Sequence, residues 1–333
     1  MYQNIKRTWE VTIRHPHEEL KKFKMVFDEL PYRKALIEKE IKNKEFAAIA
    51  SRGGPLKPLA SGTYLITQTV VNDIKEGRYS SLHASLLGPL ISYELSKLYN
   101  VPAYFVDPES VDEFMPISYI SGLPEIPRRS LSHYLNINAV SKEVAYKLKK
   151  APNQCNFIVA HLGSGITIAA KRKGRQIDAN NANEDGPFSP QRSGSLPLGG
   201  VIEMCYSNQY TKEEMLAKIQ RRGGLLAYLK TDNLKEVLLR IKNGDRYAKL
   251  IYEAMIYQIA KEIGAMYIAL KGQVDAIIVS GGLAYEKKLI KDLKKWIFCL
   301  KSKVIVIPGE AEMLALAQGV FSVLFGYEHP KNY

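Results

Sequence analysis

The chain has 333 residues, 46% of them hydrophobic and 24% charged, a globular composition long enough for two domains. No apolar run reaches the ~18–20 residues that span a bilayer, and the first 20 residues hold no apolar signal core, so a cytoplasmic protein without a membrane segment is expected. The net charge is +13, but the lysines are spread in pairs (21–22, 149–150, 287–288, 294–295), which favours a solvated surface that gathers anions over a nucleic-acid interface.

The spacing predicts a largely helical stretch over 16–45, then a short buried strand over 46–50 that runs into Ser51, Arg52, Gly53 and Gly54. A strand is predicted over 62–70, an amphipathic helix over 84–99, and a strand over 102–106 ending at Asp107 and Pro108. A helix is predicted over 129–149. The run 159–170 reads as strand, tight turn, strand around His161, Leu162, Gly163, Ser164 and Gly165, and a third strand precedes Asp178. The dense basic run 171–175 is expected as a solvated hairpin turn. Residues 178–194 form a long polar loop, of a length that is usually functional. Helices dominate 211–272, strands are predicted over 274–279 and 303–307, and a last helix over 310–325. Cys155, Cys205 and Cys299 are expected as buried thiols, not as a disulfide or zinc framework. Strands alternating with helices argue for α/β sheets covered on their faces.

Several loops at strand ends carry chemically useful residues, and ligands of open α/β sheets bind at such ends. Two glycines in the 161–165 turn leave backbone N–H groups uncovered, a concave site suited to phosphate, although a plain structural turn has the same pattern. Arg52 is either a surface arginine or a bidentate clamp for a carboxylate or phosphate. Arg192 has the same two readings, the functional one being neutralisation of a transferring phosphoryl group. Asp107 either caps a turn or orients an acceptor or a hydrated metal ion. His83 and His133, taken alone, read as structural histidines. Glu310 and Glu312 either complement a helix dipole or offer a carboxylate to Mg²⁺. Ser280, Gly281 and Gly282 let backbone approach a flat ligand.

In this order, the segments resemble the acetate and butyrate kinase family of the sugar kinase–Hsp70–actin superfamily, and within it the butyrate kinases. The residues that carry the resemblance are SRGG (51–54), HAS (83–85), VDP with VDE (106–113), RRSLSH (128–133) and VAHLGSGITIAA (159–170). DANNA and DGPFSPQRSG (178–194), RGGLLAYL (222–229), AMIYQIAKEIGA (254–265), VDAIIVSGGLAYE (274–286) and IPGEAEMLALA (307–317) extend it over nearly the whole chain. The resemblance implies an α/β fold of two actin-like (ribonuclease H-like) domains with a nucleotide cleft between them. It places residues 1–136 plus 313–333 in the first domain and 137–312 in the second. The implied activity is phosphorylation of a short-chain carboxylate by ATP with Mg²⁺, most directly butanoate to butanoyl phosphate. It also implies a homo-oligomer. Arg52 and His83 fall on substrate-binding positions, and Asp107, His133 and Arg192 on catalytic ones. His161, Leu162, Gly163, Ser164 and Gly165 fall on the phosphate turn, and Thr231, Asp232 and Asn233 near the base or ribose. Gly281, Gly282, Leu283, Ala284, Tyr285 and Glu286 face the adenosine, and Glu312 takes the metal position.

The chain also departs from the family. The family's opening hairpin, with an Asn-Pro-Gly-Ser-Thr-Ser-Thr-Lys-like turn, has no counterpart here, so a first sheet without that N-terminal β-hairpin is expected. Leu86 stands for a usual Asn, and Ser132 and Tyr134 flank His133 in place of Phe and Ala. Gln191 replaces Glu, Lys230 replaces Gly, and Asp232-Asn233 reverses an Asn-Asp order. Two other functions therefore stand beside butyrate kinase: an impaired, truncated paralogue serving as a ligand-binding or partner subunit, and a kinase for branched-chain acids or acetate.

Overall fold

A computed structural model describes every residue except Asn4, Ile5 and Lys21, together with the side chain of His17. Lys21, inside the helical stretch expected over 16–45, thus lies outside the described residues. The chain divides into two compact units, Met1–Asp112 with Ala311–Tyr333, and Glu113–Glu310.

The first unit begins with two short antiparallel strands, β1 (Tyr2–Gln3) and β2 (Lys6–Arg7). Helices α1 (His17–Leu20) and α2 (Leu30–Ile41) follow. The expected single helical stretch is broken between them because Pro31 suits only a first helical turn, so α2 starts anew there. Strand β3 (Ile49–Ser51) runs parallel to the later β5, and β4 (Thr63–Leu65) antiparallel to it, giving the order β3-β5-β4. Only the start of the strand expected over 62–70 is extended. Helix α3 (Gln68–Lys75) takes over because Val70, Val71 and Ile74 share one helical face, and all three are buried. Helix α4 (Leu87–Tyr99) ends at Asn100, which closes it in the left-handed conformation at φ 52°. It returns the chain to β5 (Ala103–Val106), where Phe105 stacks on Tyr64 at 5.0 Å in a core shared with Leu56, Ile74 and Leu86. Among the described residues this sheet has three strands, and β1 and β2 pair outside it.

The second unit is built on a five-stranded sheet entered through α5 (Tyr134–Lys147). Strands β6 (Asn156–Leu162), β7 (Ile166–Arg172) and β8 (Arg175–Ala179) form an antiparallel meander. Helices α6 (Leu198–Tyr206), α7 (Lys212–Gln220), α8 (Gly224–Leu229), α9 (Leu234–Lys242) and α10 (Arg246–Ala269) follow. Strand β9 (Ala276–Gly281), helix α11 (Lys287–Ile297) and strand β10 (Val304–Pro308) complete the order β10-β9-β6-β7-β8. Alternation along the strands sorts the core. Ile158, Ala160, Leu162, Ile166, Ile168, Ile277 and Val279 join the cluster around α10, whereas Phe157, Val159, Ala169 and Ile278 join the one around α5. Both faces are covered, which is why these strands read as near-continuous apolar runs. The chain then returns to the first unit through α12 (Glu312–Leu324).

The compact units part at 112/113 and 310/311, with 113–136 in the second. Glu113 accepts the Tyr134 hydroxyl at 2.9 Å and the Gln176 N–H at 3.1 Å, which fastens 113–136 to the second unit. The helix expected from Arg129 starts at Tyr134, and before it Arg128 ties the chain down by donating to Ser118 O and Ala179 O. The 171–175 hairpin exists, with Lys173 and Gly174 at φ 51° and 85°, but Lys171 is not solvated. It is buried, donates to Asn138 Oδ1 at 2.7 Å, and lies over the Tyr134 ring. Finally, Cys155 is buried whereas Cys205 and Cys299 are exposed.

Candidate functional site

In the first unit, β3 delivers Arg52 into a loop packed directly on the turn that ends β5. A Cβ at Gly53 would stand 2.6 Å from Pro108 Cβ, and Gly54 has φ 77°, so both positions require glycine. Arg52 donates from Nη2 to Glu109 Oε1 at 3.3 Å, and its Nη1 lies 3.4 Å from Glu312 Oε2 at the start of α12. The expected carboxylate-binding arginine and the expected metal carboxylate are therefore neighbours. Asp107 is buried with φ 42°, a left-handed backbone that Asp tolerates better than most residues. Its Oδ1 accepts from Gly62 N–H at 2.8 Å while its own N–H donates to Gly62 O at 3.0 Å. Asp107 is thus a turn cap as well as a candidate catalytic group. His83 is exposed at the start of the helical turn before α4, and its Nδ1 accepts from Ser85 N–H at 3.2 Å and meets Ser85 Oγ at 2.6 Å.

In the second unit the β6–β7 turn is the centre. His161 pairs with Thr167 across the ladder, and Gly163 N–H donates to Gly165 O at 3.1 Å. The Arg192 guanidinium lies against Gly165, where a Cβ would stand 2.6 Å from Arg192 Cζ. The loop that carries Arg192 is held there by its backbone and short side chains. Ser189 donates its hydroxyl to Ser164 O and accepts Arg192 N–H at 3.1 Å. Ser189 N–H donates to Arg192 O at 3.0 Å, Gly223 N–H to Gln191 O at 2.8 Å, and Ser193 N–H to Ile219 O at 2.8 Å. Asn180 continues the β7 edge by accepting from Ile168 N–H at 2.6 Å and donating to Ile166 O at 3.0 Å. The His133 ring stacks on that of His161 at 4.4 Å, and His133 Nδ1 meets Thr167 Oγ1 at 2.8 Å. His133, His161, Gly165 and Arg192 therefore form one constellation.

The remaining predicted residues have mainly structural placements. Leu162 and Ala284 put their side chains into the core, so only their backbones can meet a ligand. Gly281 sits at φ 89° with a Cβ position 2.3 Å from Leu162 O, and it exchanges hydrogen bonds with Gly309. Gly282, Leu283, Ala284 and Tyr285 form a helical turn whose Tyr285 is exposed, and Glu286 ends it. Thr231 donates to Glu236 Oε2 at 2.7 Å, and Asn233 caps α9 through Lys235 N–H at 3.0 Å. Asp232 Oδ2 accepts from Gln191 Nε2 at 2.6 Å. Two departures from the family pattern thus meet in space. A Glu at 191 facing Asp232 would place two carboxylates in contact, and the amide at 191 removes that repulsion.

Asn136, Thr167, Asn180 and Ser189 also belong to this region, buried polar residues whose burial has no signature in one sequence. Asn136 Oδ1 faces His161 Nδ1 at 3.0 Å and accepts the Ser280 hydroxyl at 3.0 Å, and Glu310 Oε1 lies 3.6 Å from His161 Nε2. Behind the Arg192 loop, burial raises the Asp185 carboxyl to about 6 against the pull of Arg128. Burial, reinforced by Asp185, raises Glu262 on α10 to about 7. Among the described residues no group of three His, Cys, Asp or Glu side chains is placed to hold a metal ion, and no helix is long and apolar enough to cross a membrane. Mg²⁺ that takes phosphate and water ligands needs only one or two carboxylates, a requirement that a residue such as Glu312 meets.

A family profile, the acetokinase family, matches residues 126–301. A probable butyrate kinase of Clostridium botulinum (strain Alaska E43 / Type E3) is 42% identical over 342 residues, covering 100% of this chain and 95% of that protein. A probable butyrate kinase 2 of Caldanaerobacter subterraneus subsp. tengcongensis is 46% identical over 338 residues with the same coverage, 100% and 95%. Among solved structures, Porphyromonas gingivalis acetate kinase matches with a TM-score of 0.77 at 20% identity over 89% of this chain and 84% of that one. A propionate kinase from Francisella tularensis subsp. tularensis SCHU S4 matches with a TM-score of 0.70 at 20% identity over 91% and 84%. These structural likenesses establish the two-domain actin-like fold.

Proposed function

The chain belongs to the acetokinase family and is a carboxylate kinase, and from that premise we propose that its acceptor is butanoate, converted with ATP to butanoyl phosphate and ADP. The observation that carries the reading is the Arg192 guanidinium held against Gly165 of the 161–165 turn. A fixed cation on a glycine turn suits a phosphoryl group in transfer, where catalysis rests on alignment and charge neutralisation. A carboxylate oxygen of the acid attacks the γ-phosphorus, the bond from that phosphorus to the β–γ bridging oxygen breaks, and ADP leaves. No proton changes hands, because a short-chain acid is already ionised at pH 7.

Arg52 binds the acid's carboxylate and exchanges its pairing with Glu109 and Glu312 for it, with His83 beside the substrate. Asp107 positions the acceptor rather than removing a proton. His133 and Arg192 stabilise the transferring group, and the backbone of 161–165 cradles the ATP phosphates. Thr231, Asp232, Asn233 and residues 281–286 lie toward the base and ribose. Glu312 would hold Mg²⁺, which supplies charge neutralisation on the phosphates. We propose with this a cytoplasmic location and an assembly of like subunits, supported by the exposed apolar side chains of Leu198, Ile202 and Tyr206 on α6.

The test is kinetic. Initial rates with acetate, propionate, butanoate and isobutyrate, read as trapped acyl hydroxamate, are expected to give the highest kcat/KM for butanoate. A higher value for acetate or isobutyrate would overturn the butanoate assignment.

A further inference from the structure

Past α12 the chain comes back to the first sheet. Lys331 pairs in parallel with Tyr64 on the outer strand β4. Its N–H donates to Thr63 O at 2.8 Å, and its carbonyl accepts from Leu65 N–H at 3.3 Å. Two residues on, the Tyr333 ring meets Phe105 of β5 edge-on at 6.2 Å. This pairing sets the Lys331 side chain over the turn that precedes β4. Its Nζ donates to Ser61 O at 2.5 Å, and its arm covers Gly62, where a Cβ would stand 2.9 Å from Lys331 Cε. Tyr64 donates its hydroxyl to Ala60 O at 2.7 Å. The carbonyls of residues 60 and 61 are thus fixed by β4 and by the segment paired with it.

Gly62 is the residue that holds Asp107. Its N–H donates to Asp107 Oδ1 at 2.8 Å, and its carbonyl accepts the Asp107 N–H at 3.0 Å. Asp107 keeps a left-handed φ of 42°, a conformation that persists in a residue with a side chain only where surrounding contacts impose it. The direction of the Asp107 carboxylate therefore follows the position of Gly62.

We propose that Lys331 is a positioning residue for phosphoryl transfer: it clamps the 60–62 turn, so that Gly62 holds the Asp107 carboxylate in one orientation. The inference rests on the kinase reading for the role of Asp107 toward the acceptor. Lys331 is exposed, so trimming its arm opens no cavity in the core, and its effect on Asp107 passes through the turn.

Lys331→Ala keeps the backbone pairing with β4 and removes only the arm and the ammonium, so the variant should fold with a melting temperature near that of wild type. Amide hydrogen exchange on the ligand-free chain reads the clamp without turnover. The Gly62 and Asp107 amides are expected to exchange about fivefold faster in Lys331→Ala, the effect of losing one hydrogen bond, while amides of β6 and β7 keep their wild-type rates. At saturating ATP, kcat with butanoate should fall about fivefold with the ATP KM unchanged. Lys331→Arg, which keeps the arm and a donor, should restore both exchange and kcat. In the Asp107→Asn background, Lys331→Ala should cost less than twofold in kcat, because the group that it positions is gone. Wild-type exchange at residues 62 and 107 in Lys331→Ala would overturn the proposal. So would faster exchange with wild-type kcat, or an equal loss of kcat in both backgrounds. Failure of the wild type to form acyl phosphate would instead strike the kinase reading, since the clamp is read on the free protein.

Discussion

Replacing Gly165 by alanine separates the position of Arg192 from its presence. A Cβ there would stand 2.6 Å from Arg192 Cζ and Nη1 and 2.9 Å from Nε. Carbon contacts settle at about 3.5 Å, so the guanidinium must retreat by about 0.9 Å. Gly165 is not among the residues of positive φ, and the displaced atoms are the end of a flexible side chain, so the fold should lose only about 1 kcal/mol or less. A displacement of ~1 Å in a positioned group costs on the order of 100-fold in rate. Gly165→Ala should therefore lower kcat by on the order of 100-fold, with a melting temperature within a few degrees of wild type. Gly122→Ala is the control, because it lies outside the site and its Cβ would meet nothing within 4 Å. Hydroxamate-trapped acyl phosphate under saturating ATP measures kcat for both. A Gly165→Ala enzyme that is folded and within twofold of wild type, or no slower than Gly122→Ala, would refute the placement of Arg192 at the transferring group.

Other substitutions probe the neighbouring groups. Arg192→Ala should cut kcat by about 10³-fold with little change in melting temperature, since the residue acts on transition-state charge; near-normal turnover would remove it from the mechanism. Asp107→Asn keeps an oxygen for Gly62 N–H and tolerates the left-handed backbone, so the fold should survive while kcat falls at least tenfold; full activity would leave Asp107 as a turn cap only. Glu262 binds its proton more tightly in the folded chain, near 7, than in the unfolded one, so its contribution is complete at low pH and is lost as pH rises through about 7. The melting temperature should fall between pH 5 and pH 8, and Glu262→Gln should flatten that slope. Parallel melting curves for wild type and variant would contradict the assignment.

The parts of the fold written in local pattern were legible from sequence. β6 and β7 lie between two cores, so their apolar runs announce them, and Gly163 and Gly165 mark the turn. The boundary between β4 and α3 was hidden because the β-branched Thr63, Ile66, Thr69, Val70 and Val71 favour a strand, while burial of Val70, Val71 and Ile74 on one face selects a helix. α6 was hidden by Gly199 and Gly200, poor helix formers beside a polar loop. At the site, the strand-end residues were legible because glycine, arginine and histidine cluster there. Their contacts were not, since Gly165 meets Arg192, and Gln191 meets Asp232, only after the sheet and the helices have packed. Buried polar supports such as Asn136 and Lys171 look in sequence like surface positions, and only the topology turns them inward.

A balance on the purified chain supplied with ATP, Mg²⁺ and butanoate tests phosphoryl transfer to the acid most directly. ADP and butanoyl hydroxamate are expected in equal amounts, both dependent on the acid and both lost in Arg192→Ala. ADP release indifferent to added acid, or no acyl phosphate from any short-chain carboxylate, would contradict it.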